Sequence, residues 1–382
     1  MITPDEFPYI TALHVNDCYT YKDFDIQLHD YKPFSHLILT GKNGSGKSTI
    51  LRSISDRVLI NNIGNANLVQ VYFKHFENND LATYHRFSPI NNYNEGLVAF
   101  FQAKRESRFN PVSTPTRLDQ FYSHHVESSQ FLQYLVNKKI DQVFNLLEGK
   151  TDSVETIDNF FNRIENTLKT VFHDNVSLEF VKDSYSFLIH LSDGRAVTFN
   201  ELPEGFSAFT NVLLDLLIRT DLIRRQAENY AYNPCGVVLI DEPETHLHLE
   251  LQEQVLPLLT ELFPNIQFIC ATHSPAVIAS IKNATIFDLT TKETRLSEEA
   301  VGRSYSELTT SHFGLENDYS TIADEYVHQI DELLDTYGSQ PAELIQHLES
   351  WKRENAQFLS PTLQIKLDFI IAQQNAKLAV AQ

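Results

Sequence analysis

The sequence predicts an α/β fold with a mostly parallel sheet, and three observations carry that prediction. Apolar runs at 36–40, 237–240 and 266–271 have the length and texture of strands buried on both faces. Stretches with helical spacing alternate with them, at 47–57, from Gly205 onward and within 245–264. The first strand runs into a glycine-rich loop and the second ends in two carboxylates, and the carboxyl ends of strands are where open α/β sheets bind ligands.

Taken in order, residues 10–40 alternate apolar and polar side chains, which predicts a small antiparallel β-layer before the loop. Strand-like segments follow the first helix at 67–76 and 96–103, and then Pro111 and Pro115 mark a change of texture. Residues 117–173 carry helical spacing, as in Phe131, Leu135 and Val136, or Ile157, Phe160, Phe161, Ile164 and Leu168. They predict an inserted helical lobe without the sustained heptads of a coiled-coil arm. Strands with tight turns are expected over 177–200, one turn at Asp193-Gly194. A helix opening near Gly205 buries Phe206, Phe209, Leu213, Leu216 and Leu217, and Pro275 starts a short helix before a last strand at 284–289. From about residue 296 the chain turns acidic, with fourteen Asp/Glu against five Lys/Arg between Ser297 and Gln382. Helices are expected there at 319–337, 341–358 and 361–373, bounded by Gly338 and Ser360-Pro361. The expected division is therefore a head over 1–295 and a helical region over 296–382.

Composition excludes several classes. At 382 residues and 42% hydrophobic the chain can bury a substantial core. It has no apolar run long enough to cross a membrane and no signal-peptide pattern at its start, so a cytoplasmic protein without a membrane partner is expected. Cys18, Cys235 and Cys270 are far apart and show no metal-ligand spacing, which suits reduced structural thiols. A net charge of −20 opposes broad adhesion to nucleic acid, leaving contact through a partner or a local patch. Lys104, Arg105 and Arg108 form one such patch and Arg219, Arg224 and Arg225 another, each also readable as a structural or solvated face.

The loop GKNGSGKST fits G-x-x-x-x-G-K-[ST], and strand, loop and helix come in the order that phosphate binding needs. Backbone N–H groups of Gly41, Asn43, Gly44, Ser45, Gly46, Lys47, Ser48 and Thr49 would face phosphate oxygens, aided by the dipole of the following helix. Lys47 would reach the β- and γ-phosphates, and the Ser48 hydroxyl would ligate Mg²⁺. The strand ending Asp241-Glu242 supplies the acidic partner: Asp241 for the Mg²⁺ shell, Glu242 to accept a proton from an attacking water. His273 follows the next buried strand, at the end where a γ-phosphate would lie.

GKNGSGKST, LIDEPETHLHLELQ and ATHSP, in that order, resemble the ABC-type ATPase head of SMC-like, RecF-like and OLD-like proteins over roughly residues 10–290. With LPEGF and GRSYSELTTSHFG added, the set is most similar to the small stand-alone ATPases of bacterial anti-phage systems, such as those of Septu, retron-linked and PARIS systems. The resemblance implies a P-loop NTPase of ABC-ATPase type that uses ATP and Mg²⁺ and forms a homo-oligomer in which two heads sandwich two nucleotides. Each phosphate loop would face the signature segment of the other subunit, here Leu202 to Phe206. That segment departs from the usual pattern, with Pro203 where a serine is expected and Glu204 in place of a glycine. Gly205 and the helix N-terminus after it are left to meet the phosphate. The resemblance also calls for a glutamine at the metal, for which Gln102 is the candidate. OLD-like nucleases carry a further nuclease domain, whereas the residues after this head read as helices, so nuclease activity within this chain is not expected.

The main functional expectation is an ATPase that oligomerises on nucleotide and controls a partner effector such as a nuclease. A second is a DNA-clamping repair or chromosome ATPase without an effector, which the acidic composition and short lobe oppose. A third, the nucleotide-binding subunit of a transporter, fits poorly with the altered signature and the long separation of Lys47 from Asp241. The C-terminal helices read either as a hairpin packed on the head or as a dock for the effector.

Overall fold

The computed structural model describes residues 1–18, 21–60, 68–75, 96–104, 109–114, 129–305, 307–308 and 321–381. The chain divides into two compact units, Met1–Gly314 and Leu315–Gln382. Arg105 and Arg108, residues 117–128 of the expected lobe and most of 306–314 lie outside the described residues.

The first unit opens with the antiparallel pair β1 (Ile10–Cys18) and β2 (Tyr21–Gln27). Strand β3 (His36–Thr40) leads through the glycine loop into α1 (Lys47–Ser55), which passes into a π-helical turn at Asp56–Ile60. Strand β4 (Val69–Phe73) pairs antiparallel with β1, and β5 (Gly96–Phe101) follows. Helices α2 (Ser129–Leu147) and α3 (Thr151–Phe172) form the described part of the lobe, ahead of the antiparallel β6 (Ser177–Val181), β7 (Ser186–His190) and β8 (Ala196–Val197). Then come α4 (Glu204–Gln226), β9 (Cys235–Asp241), α5 (Leu249–Leu262) and β10 (Ile266–Ala271). The unit continues with α6 (Pro275–Ile278), β11 (Ala284–Asp288), β12 (Glu293–Leu296) and α7 (Ser297–Val301).

The central sheet has the order β12-β11-β3-β10-β9-β5, with every neighbouring pair parallel except β11 and β12. Its inner strands are buried along their whole length because both faces are covered. Alternate residues belong to two different cores, as the period of two in a strand requires. Leu37, Leu39, Val237, Leu239, Ile269 and Ala271 pack with α1 and the N-terminal β-layer. Ile38, Val238, Ile240, Phe268 and Cys270 pack with the lobe, α4 and α5. A buried glutamine joins the β-layer to the sheet: Gln267 Nε2 donates to Ile10 O (2.8 Å) and Ser35 O (2.7 Å), and its Oε1 accepts from Ile10 N (2.9 Å). His36 is buried beside it, held neutral by burial, which pulls its imidazole down to about 3, and its Nδ1 accepts from Phe268 N.

One expected helix starts late. Residues 243–246 form a turn, because Glu242 and His246 hold positive φ of 49° and 62°, and α5 begins only at Leu249. Two of the three arginines of α4 are structural contacts: Arg219 pairs with Asp215 (2.6 Å), and Arg224 donates to Tyr232 O (2.6 Å) and Asn233 Oδ1 (2.8 Å), while Arg225 is exposed. The second unit consists of α8 (Thr321–Tyr337), α9 (Pro341–Asn355) and α10 (Pro361–Ala381) around Ile330, Leu344, Leu348, Leu363 and Leu367. No described helix is long and apolar enough to cross a membrane.

Lobe and head share a buried ion pair, Lys138 Nζ to Asp221 Oδ2 at 2.6 Å, and Tyr134 OH donates to the same carboxylate. Lys138 Nζ also lies 5.2 Å from the Phe160 ring centre. Removing one member strands a buried charge, so Lys138→Met is expected to lower stability by about 3 kcal/mol, and Lys138→Met with Asp221→Leu to restore most of it, as read from urea unfolding midpoints.

Candidate functional site

The site forms where the central strands end. Parallel register sets Asp241 beside Ala271, and Asp288 beside Thr40, while Phe101 pairs with Ile240 and so brings Gln102 to the same edge. The ladder continues past the strands: Glu242 N donates to Ala271 O (2.8 Å), and Thr272 N to Leu39 O (3.0 Å). Loop, carboxylates, histidine and glutamine, which the sequence spreads over more than half of the chain, therefore meet on one edge.

Two glycines of the loop are required by close approach. Gly41 has φ +130°, and a Cβ there would lie 2.9 Å from Thr290 Oγ1 and 3.2 Å from Asp288 Oδ1. Gly46 has φ +94°, and a Cβ there would fall 2.0 Å from Cys18 Sγ, which donates to Gly46 O (3.3 Å). Lys42 N donates to Thr290 Oγ1 (2.9 Å), tying the loop to the end of β11. Asn43 and Gly44 are exposed at the loop crest, Ser45 and Lys47 are buried, and Ser48 and Thr49 are half-buried on the first turn of α1.

Lys47 folds back into the loop. Its Nζ donates to Gly41 O (2.9 Å), Lys42 O (3.2 Å) and Ser45 Oγ (3.5 Å). Burial pulls its ammonium down to about 8, against the opposing pull of Glu242, Asp241, Asp288 and Glu244. Asp241 is buried at the strand end and Glu242 half-buried beyond it, with Thr245 Oγ1 donating to Glu242 O (2.8 Å) and lying 3.5 Å from its Oε2. Burial, and secondarily the Lys47 ammonium, hold the His273 imidazole below its ordinary value, which keeps it neutral near pH 7.

Ser48, Asp241 and Gln102 offer a hydroxyl, one carboxylate and an amide, all hard oxygen donors. Mg²⁺ at a phosphate site takes such a set, one or two carboxylates with the rest of its shell from water and phosphate. The residues present therefore fit that ion.

Gly205 is placed differently from the rest. It is buried in the first turn of α4, and the nearest atoms to its would-be Cβ are His246 O (2.2 Å), His246 C and Leu247 N, in the turn after β9. Pro203 stands at the helix N-cap, and its carbonyl accepts from Ser207 N (2.9 Å). Sequence reasoning missed Asp288, whose Oδ1 accepts from Thr290 N (2.7 Å) under the loop. The signal was available, since an apolar strand ending in Asp is the same pattern as at Asp241. It also missed Glu244, whose Oε1 accepts from Thr272 Oγ1 (2.6 Å) and His273 N (2.8 Å), with burial raising its carboxyl above the usual range.

Residues 71–279 match the family described as "AAA domain, putative AbiEii toxin, Type IV TA system". A relative named "Retron Vc95 probable ATPase" from Vibrio cholerae serotype O1 biovar El Tor is 24% identical over 372 residues, covering 69% of this chain and 72% of the relative. The Septu protein PtuA of Bacillus mycoides (strain KBAB4) is 24% identical over 185 residues, 46% of this chain and 24% of that protein. Among solved structures, the Smc head bound to the C-winged helix domain of ScpA aligns with 78% of this chain and 100% of its own, at 15% identity and a TM-score of 0.44.

Three outcomes test the loop. Gly46→Ala drives a methyl group into Cys18 at a left-handed φ and is expected to abolish measurable ATP binding in calorimetry. In the unaltered protein Lys47 loses its proton as pH rises through about 8, so ATP affinity is expected to fall between pH 7 and 9. Lys47→Gln should bind weakly and lack that dependence.

Proposed function

The chain belongs to this AAA-domain family and is an ATPase; on that premise we propose that it is an ABC-type anti-phage defence ATPase that sandwiches ATP between two copies and controls a protein effector. The observation that carries the proposal is the convergence of the Gly41–Thr49 loop, Asp241-Glu242 and His273 on the carboxyl ends of three adjacent strands, β3, β9 and β10. Neighbouring ends are needed because the phosphates, their counter-charge and the attacking water must all lie within a few ångströms of one another.

On this reading the loop amides and Lys47 bind the β- and γ-phosphates, with Lys47 exchanging its carbonyl partners for phosphate oxygens. Ser48, Asp241 and Gln102 would hold Mg²⁺, which when bound neutralises charge on the phosphates. Glu242, half-buried and aimed from the strand end by its left-handed backbone, orients a water and takes its proton. His273, kept neutral, donates a hydrogen bond to the γ-phosphate. The start of α4 faces a nucleotide held by a second copy, and the turn at His246, seated on the buried Gly205, links that surface to the catalytic strand. The head over 1–295 carries this chemistry in the cytoplasm, and the helices of 296–382 contribute the effector dock. The internal pairing of Arg219 and Arg224 leaves the exposed Arg225 as that cluster's contribution to nucleic-acid contact, which favours a protein partner over a DNA clamp.

Glu242→Gln is expected to lower ATP turnover by about 100-fold or more while ATP still binds, and light scattering with ATP should report a dimeric or larger mass for the variant. Turnover at the wild-type rate would remove Glu242 as the base. A persistent monomer with bound ATP would remove the sandwich. Near-stoichiometric co-purification of a nuclease from the native cell is the expected result for the effector.

A further inference from the structure

We infer that Glu244 is a positioning residue for His273, an inference that rests on the assignment of His273 to the γ-phosphate. Glu244 lies beyond Pro243 in the turn that follows β9, and its carboxylate reaches across to the end of β10. There Oε1 accepts two hydrogen bonds, from the Thr272 hydroxyl at 2.6 Å and from the His273 backbone N–H at 2.8 Å. The backbone amide of His273 is thus held by a side chain from the turn that follows the carboxylate-bearing strand.

The flanking residues are held by the same network. Thr272 Oγ1, while donating to Glu244, accepts from Ser274 N (2.9 Å). Ser274 Oγ donates to Gln252 Oε1 on α5 (2.7 Å) and accepts from Val277 N, capping α6. Backbone direction through residues 272–274 is therefore set by contacts to β9's turn and to α5, and the imidazole leaves the chain between two fixed amides. A histidine on a strand end without such restraint samples several backbone directions, and a misplacement of about 1 Å is enough to cost roughly a hundredfold in rate. Glu244 sits two residues from Glu242, so the network also couples the base and the histidine: neither strand end can shift without straining the other.

Steady-state ATP turnover, ATP affinity by calorimetry and melting temperature are measured for His273→Ala, Glu244→Ala, Glu244→Gln and the double variant Glu244→Ala/His273→Ala. His273→Ala is expected to lower kcat by about tenfold or more. Glu244→Ala should lower kcat by about tenfold with ATP affinity within about threefold of wild type, because phosphate binding is left to the loop. Glu244→Gln retains an oxygen acceptor for both donors and should stay within about threefold of wild type. The double variant should be no slower than His273→Ala alone by more than about twofold, since residues acting as a unit are not additive.

Multiplying losses in the double variant, or an unchanged kcat in Glu244→Ala while His273→Ala is slow, overturns the inference. An unchanged kcat in His273→Ala instead removes the histidine from the reaction, so the two failures are distinct. Should Glu244→Ala not fold, Thr272→Val removes one of the two donors and carries the same test: a kcat loss of about threefold or more that vanishes in the His273→Ala background supports the inference, and a loss that persists there overturns it.

Discussion

A strand covered on both faces can present polar chemistry only where it ends, and that constraint organises the whole head. β3, β9, β10 and β11 are buried from first residue to last, so their ladders and their two apolar cores leave no lateral opening for a charged ligand. The chain must emerge at the carboxyl edge and turn there at once. At β3 that turn passes close against Thr290, Asp288 and Cys18, where a side chain would collide, and glycine is the residue without one. The phosphate loop is in this sense a product of the sheet it leaves.

The same enclosure shapes the electrostatics. Lys47 is withdrawn from water among carboxylates from two other strands, and burial outweighs their attraction, leaving a cation that is easily deprotonated. Its three oxygen partners are backbone carbonyls and a hydroxyl, contacts that, on the proposed function, an arriving phosphate would replace with charge-assisted ones. In so dry a setting each such bond is worth more than it would be in water. His273 feels the opposite consequence of the same ammonium, which helps to hold it neutral. On the proposed function, binding and catalysis at this edge are two readings of one buried charge distribution.

Much of this was legible in the chain. The apolar strands, the glycine loop, the carboxylate pair and the N-terminal β-layer are local patterns, and each appears within a few residues of its expected place. The turn at 243–246 was not, because left-handed backbone at Glu242 and His246 runs against the preference of both residues and is imposed by packing. That turn is what aims Glu244 at Thr272 and His273 and seats the His246 carbonyl on Gly205. Asp288 escaped notice for another reason: its strand carries the right pattern, but nothing local says that β11 lies next to β3.

The sequence by itself determined the kind of chemistry, since phosphate binding and carboxylate placement are written in contiguous motifs whose spacing follows from a single strand and turn. Tertiary structure decided which residues share the site. Gln102, Asp241, His273 and Asp288 meet only because parallel register aligns strands that are far apart in the chain, and Glu244 reaches His273 only because two of those strands are neighbours. Register across a sheet depends on cores assembled from many distant side chains, and no short stretch of sequence contains that information.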